Sequence, residues 1–311
     1  MELPRNERVV TNVRNKKKIW IYGSPFSGKT YLANSFPSVL LLSTDGNYTQ
    51  LPGGIPPHID IKDVVTVEGR ITKRQLGWEV FKETITELEK KQNDFKTIVV
   101  DLIEDTYEQC RLYMYNQLGI THESDDSFRA WDKVRTEYLS TIKRLMGLNY
   151  ENIILISHED ASKDITKKTG DKITSIKPNL QDKAALKIAG MVDIVCRIIA
   201  EDGKRTLSFK TSEVIFGGGR LNVQNNEIAC DYNELIKIYD EANSGKKQIE
   251  TSTIETKPEE KVENVPVTEA PVQLETAVVE QQNVETPETP ITNTSVVEET
   301  PRRVRRKRVE E

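Results

Sequence analysis

The chain has 311 residues, a formal net charge of −5 and three cysteines. That length allows one sizeable domain plus an appendage, and the acidic balance excludes a basic coat for nucleic acid, so any such surface has to be local. Cys110, Cys196 and Cys230 are far apart and form no C-x-x-C pair, which argues against a disulfide framework or zinc ribbon and fits a reducing cytoplasm.

Residues 1–17 read as a polar N-terminal extension without the apolar core of a signal peptide. No apolar run approaches the length of a membrane span, so the expectation is a cytoplasmic protein without membrane contact. Residues 18–243 read as one domain of alternating strands and helices. The run Ile19-Trp20-Ile21-Tyr22 is β-branched and aromatic and predicts a buried strand. Directly after it stands Gly23-Ser24-Pro25-Phe26-Ser27-Gly28-Lys29-Thr30, a complete G-x-x-x-x-G-K-[ST] loop. Tyr31-Leu32-Ala33-Asn34-Ser35 then starts a helix. This strand–loop–helix setting gives the motif its meaning: glycines let backbone N–H groups converge on phosphate oxygens, and the helix N-terminus adds positive potential. Lys29 reaches the β/γ-phosphates in such loops, and Thr30 holds Mg²⁺, so ATP and Mg²⁺ are the expected cofactors. The bland alternative is a Gly-rich connector.

Val39-Leu40-Leu41-Leu42 predicts a second strand, followed by Ser43-Thr44-Asp45-Gly46. The Gly-Pro-rich stretch 51–57 is a loop. Trp78, Phe81, Ile85 and Leu88 recur at helical spacing. Thr97-Ile98-Val99-Val100 is a third strand, ending in Asp101, an acid placed to hold the Mg²⁺ shell opposite Thr30. Residues 106–118 predict a helix, and Trp131, Val134, Tyr138, Ile142 and Leu145 mark another. Hydrolysis needs a carboxylate to orient water, and Asp45 and Glu104 are the two candidates, a turn-capping role being the better expectation for Glu104.

Asn152-Ile153-Ile154-Leu155-Ile156 is a fourth strand, closed by Ser157-His158. In open α/β sheets ligands bind beyond the carboxyl ends of the strands, so His158 is placed to feel the γ-phosphate; the alternative is a hydrogen-bonded strand-end histidine. Residues 159–180 read as a long polar loop carrying Lys163, Lys167, Lys168, Lys172 and Lys177, which suit a phosphate backbone contacted without sequence preference. Asp160, Asp164 and Asp171 dilute that charge, and a solvated loop is the alternative. Residues 182–191 predict a helix, with strands over 194–199 and 206–210. Continuous apolar strands between helices predict a mostly parallel α/β sheet covered on both faces.

From residue 244 the composition turns to Glu, Thr, Val, Pro and Gln, without an aromatic residue up to Thr300. Such a segment buries too little to offset the entropy of ordering, so 244–311 is expected to be a disordered acidic tail. It ends in Arg302-Arg303-Val304-Arg305-Arg306-Lys307-Arg308, a run suited to nucleic acid or another acidic surface, or simply to solubility.

The order of the 23–30 loop, the Ser-Thr-Asp-Gly turn at 43–46, the strand ending in Asp101 and the strand ending in His158 resembles RecA-like recombinase ATPases. It is most similar to phage nucleotide-binding proteins of the AAA-type/RecA-related group, some of them single-strand annealing recombinases of the Sak class. The resemblance covers about residues 17–225. It implies that Asp45 polarises the attacking water, that His158 couples nucleotide state to the DNA-binding segment 159–180, and that Lys210 reaches a neighbouring subunit's γ-phosphate. A second lysine two residues on is replaced by Ser212, with Arg220 as a candidate substitute. Glu123, Asp125 and Asp126 in 119–127, where the family has its first DNA loop, would repel a phosphate backbone. The implied function is an ATP-hydrolysing phage recombination protein on single-stranded DNA. It would form a homo-oligomer in the host cytoplasm, with a single-stranded-DNA-binding protein or replication partner contacted through the tail. The alternatives are a nucleotide-gated loader or adaptor and, with less support, a small-molecule kinase, which would carry an arginine-rich lid.

Overall fold

A computed structural model describes residues 16–121, 128–166 and 172–251. The chain divides into two units, Met1–Glu255 and Thr256–Glu311. The expected disordered tail, 244–311, starts later than the composition suggests: residues 244–251 continue a helix that runs to Thr251, and 252–311, with the basic terminus, lie outside the described residues.

The first unit is built on β1 (Lys17–Gly23), α1 (Lys29–Asn34), β2 (Val39–Ser43), β3 (His58–Asp60), β4 (Val64–Glu68), β5 (Ile71–Gln75), α2 (Gly77–Glu89), β6 (Thr97–Asp101) and α3 (Ile103–Leu118). There follow α4 (Phe128–Gly147), β7 (Asn152–Thr166), β8 (Lys172–Pro178), α5 (Asp182–Ala189), β9 (Ile194–Glu201), β10 (Lys204–Ser208), β11 (Gly218–Gly219), β12 (Glu227–Ala229) and α6 (Tyr232–Thr251). The main sheet runs β12-β10-β9-β1-β7-β6-β2-β3. From β9 to β3 all neighbours are parallel. The antiparallel edge is a β9–β10 hairpin, paired on to β12. This is the expected mostly parallel α/β sheet.

The strands alternate their side chains between two cores. On one face Trp20, Tyr22, Leu40, Leu42, Val100 and Leu155 pack against α2, α3, α4 and α5. On the other, Ile19, Ile21, Leu41, Val99, Ile154 and Ile156 pack against α1 and α6. β1 lies between two parallel neighbours and its residues 19–22 are fully buried, so a continuous apolar run is what its position requires. The polar tips of its aromatics are satisfied: Trp20 Nε1 donates to Ser157 Oγ at 3.0 Å and Tyr22 Oη to the Phe216 carbonyl at 2.5 Å.

α2 buries Trp78, Phe81, Ile85 and Leu88, as the spacing predicts. Its first turn is satisfied by two carboxylates: Glu79 accepts from Leu76 N and Asp63 from Gly77 N, both at 2.8 Å. In α4 the buried stripe is Val134, Tyr138, Ile142 and Leu145; Trp131 is 41% exposed and sits off it. α3 begins three residues before the expected start, and α5 ends two residues before the expected end.

The expected loop over 159–180 is corrected by the structure. β7 continues past the sheet to Thr166, and β8 pairs with it antiparallel from Lys172, from Glu159↔Pro178 to Thr166↔Lys172 with a register shift between Asp160 and Lys163. The segment is a hairpin that grows directly out of a central strand. A second ribbon, β4–β5, forms a separate two-stranded sheet. It exposes Val65, Val67 and Ile71.

Candidate functional site

Strand register assembles the site. Gly23 stands beside His158 across β1–β7, and Asp101 beside Ser43 across β2–β6, all at the carboxyl ends of parallel strands. One strand, β7, separates the strand that feeds the glycine loop from the strand that ends in Asp101. The loop therefore faces Asp101 across a crevice instead of touching it along a ladder.

The backbone of the loop is shaped for anions. Gly28, the residue before α1, is left-handed at φ 99°, and Phe26 is also at positive φ, 64°. A Cβ on Gly23 would sit 2.7 Å from the Ile198 carbonyl oxygen, so the first glycine is required by the close approach of β9. Lys29 is buried and its ammonium donates to the carbonyls of Gly23 (3.1 Å) and Ser24 (2.7 Å). Burial lowers the pKa of Lys29, opposed by the Asp101 carboxylate.

Thr30 Oγ1 donates to Asp101 Oδ2 at 2.5 Å. Burial pushes the Asp101 carboxyl up to about 6, the Thr30 hydroxyl working against that rise and the Asp45 carboxylate adding to it. A carboxylate so buried, with one neutral hydroxyl for a partner, is a group that a cation would stabilise. Ser27 Oγ in the loop and Glu104 Oε2 are buried polar atoms without a hydrogen-bond partner among the described residues. Together these groups fit MgATP: the loop amides and Lys29 for the phosphates, Thr30 and Asp101 for the metal. The cavity lined by Gly28, Lys29, Thr30 and Asp101 measures about 750 Å³ and also takes in Asp45, His158 and Arg205.

The two candidate carboxylates are placed differently from the sequence expectation. Asp45 is exposed and caps its own turn: Oδ1 accepts from Asn47 N (3.1 Å) and Oδ2 from Asn47 Nδ2 (2.7 Å). Glu104, expected to cap a turn, is 9% exposed. Its Oε1 instead accepts from the His158 backbone N–H (2.8 Å) and faces His158 Nδ1 at 3.0 Å. Glu104 thus joins the first turn of α3 to the point where β7 leaves the sheet.

The remaining candidates are spread out. Lys210 falls just beyond β10 and is ion-paired to Glu227 at 2.8 Å. The Arg220 guanidinium is engaged by the Gly190 carbonyl. Lys163 and Lys172 are placed on β7 and β8 by their backbones, and Lys177, also on β8, pairs with Asp182. Lys167, Lys168, Glu123, Asp125 and Asp126 lie outside the described residues. Sequence reasoning missed Arg205, an arginine on β10 that carries no local signal. It also missed the Arg197–Glu159 pair (2.8 Å) at the root of the hairpin, two residues that nothing in the linear order connects.

A glycine loop opening a helix, a crevice facing a buried aspartate and a parallel sheet with helices on both faces define a P-loop ATPase. The chain belongs to the AAA domain family, whose model matches residues 15–221. Among solved structures it is similar to one described as a prototypical ATPase from the type III secretion system of pathogenic bacteria. That likeness has a TM-score of 0.40 and 12% identity, and it covers 76% of this chain and 64%, less than two thirds, of the other. No curated protein matches. Among the described residues no helix is long and apolar enough to cross a membrane.

Proposed function

We propose that this ATPase hydrolyses MgATP to control a grip on single-stranded DNA, as a phage recombination protein of annealing or recombinase type. The observation that carries the reading is the continuity of β7, one strand running from the phosphate cavity at His158 into the β7–β8 hairpin. Asn179 N, just after β8, donates to the His158 carbonyl at 2.8 Å. Both arms of the hairpin are therefore tied to the residue that faces the cavity.

Lys29 leaves the loop carbonyls to neutralise phosphate oxygens. Thr30 and Asp101 would hold magnesium, which would supply charge neutralisation to the phosphate oxygens. The water-orienting role is assigned here to Glu104, buried and with Oε2 unpartnered, over Asp45, which lines the cavity but is exposed and caps its own turn. Because its Oε1 holds His158, the same carboxylate senses the reaction and positions the hairpin root. Lys210 is half-exposed in an ion pair of a kind worth only about 0–1 kcal/mol, so a neighbouring subunit's γ-phosphate competes easily with Glu227 for it. A homo-oligomer would in that case complete the site in trans.

The test is ATP turnover with and without single-stranded DNA, alongside DNA binding by fluorescence anisotropy with and without nucleotide. Stimulated turnover and nucleotide-dependent binding are expected. Unchanged turnover together with DNA binding indifferent to ATP refutes the DNA reading. A second reading, a nucleotide-gated loader or adaptor, draws on the β4–β5 ribbon, where Val65, Val67 and Ile71 are 59%, 67% and 61% exposed, the kind of surface that meets a protein partner.

A further inference from the structure

Arg205 belongs to no motif, yet the fold brings it to the phosphate loop. It lies on β10 opposite Ala200 of β9, and its carbonyl accepts from Cys230 N at 3.0 Å, so its backbone is held from both sides. Its side chain crosses over β9 towards α1. A Cβ built on Gly28 would come within 3.3 Å of Arg205 Cδ and Nε and 3.6 Å of Cζ. The guanidinium is thus packed against the left-handed glycine whose neighbours' N–H groups form the anion site. It lines the same cavity as Lys29, Thr30 and Asp101.

Among the described residues the Arg205 side chain makes no hydrogen bond or ion pair. The arginines at 74, 111, 135, 144 and 197 all pair with carboxylates. An arginine held close to the backbone of an anion site with its donors free is arranged for a ligand, and its planar fork matches phosphate oxygens in a way that a lysine does not. The cavity carries acidic groups, Asp45 and Asp101, together with the cations Lys29 and Arg205.

We propose that Arg205 is a phosphate-contact residue acting within its own subunit, closing the open side of the glycine loop over the polyphosphate of a nucleoside di- or triphosphate. The inference rests on the MgATP reading of the cavity and deepens it. It also gives Gly28 a second reason to be glycine, since any side chain there would push the guanidinium off the loop.

The test is isothermal titration of the full chain and its Arg205→Ala and Arg205→Lys variants with MgADP, MgATP and inorganic tripolyphosphate, with melting curves without ligand to check the fold. Arg205 is exposed, so the variants should melt like the unmodified chain. A charge-assisted contact predicts roughly tenfold to a hundredfold weaker binding of all three ligands to Arg205→Ala, with Arg205→Lys between. If the unmodified chain binds and Arg205→Ala binds equally well, the assignment to Arg205 falls while the nucleotide reading stands. If only the two nucleotides weaken and tripolyphosphate does not, Arg205 contacts base or ribose and the phosphate assignment is overturned. If the unmodified chain binds none of the three, both readings fall.

Discussion

Replacing Asp101 by asparagine should stabilise the protein while removing the metal side of its site. Asp101 is 4% exposed, and burial raises its carboxyl from 3.8 to about 6. Each unit is worth about 1.4 kcal/mol, so at pH 7 the ionised carboxylate costs the folded state about 3 kcal/mol relative to the unfolded chain. Because the folded-state value is the higher one, the cost is absent below 3.8. It grows as pH rises from 3.8 to about 6 and is complete above that. Asparagine carries no charge and keeps an oxygen to accept from Thr30, so in chelator-treated, nucleotide-free protein at pH 7 the Asp101→Asn variant should melt roughly 6–12 °C higher. At pH 4.5 the gap should shrink to about 1 kcal/mol. Adding MgADP should raise the melting temperature of the unmodified chain more than that of the variant, because binding stabilises only what it recognises. Scanning calorimetry across pH reads all three effects. A variant that melts at or below the unmodified chain at pH 7, or a gap that does not narrow at pH 4.5, would refute the reasoning.

Lys29→Ala should lose at least roughly a hundredfold in nucleotide affinity by titration calorimetry, with an unchanged circular dichroism spectrum, because its ammonium contacts only loop carbonyls. Glu104→Gln should bind MgATP but slow turnover by roughly a hundredfold or more, whereas Asp45→Asn should change turnover little; the opposite order in a phosphate-release assay would return the water-orienting role to Asp45. Gly28→Ala forces a side chain into a backbone at φ 99° and to 3.3 Å from Arg205, so it should cost roughly 1–2 kcal/mol in urea unfolding and weaken nucleotide binding as well.

The local elements were largely legible. The glycine loop names itself because it must use glycine and lysine at fixed spacing, and β1, β2, β6 and β9 announce themselves because strands buried on both faces have to be apolar throughout. α2 was legible because one of its faces meets the core. The exposed ribbons were harder. β4–β5 alternates around Glu68-Gly69-Arg70, and β9–β10 turns at Asp202-Gly203 with both residues at positive φ. These are hairpin signals that a search for buried runs passes over. In β7 the apolar stretch ends at Ile156 although the strand continues to Thr166, since a strand that leaves the sheet no longer needs an apolar sequence.

The sequence by itself determined the glycine loop, the aspartate that ends the third strand and the α/β class, because each depends on residues adjacent in the chain or on burial that leaves a periodic mark. Only the tertiary structure decided which of Asp45 and Glu104 is buried, what holds His158 and which arginine lies on Gly28. Glu104 meets His158 across 54 residues, and Arg205 reaches Gly28 across β9. Contacts of that kind are set by strand order and register, and no local pattern encodes them.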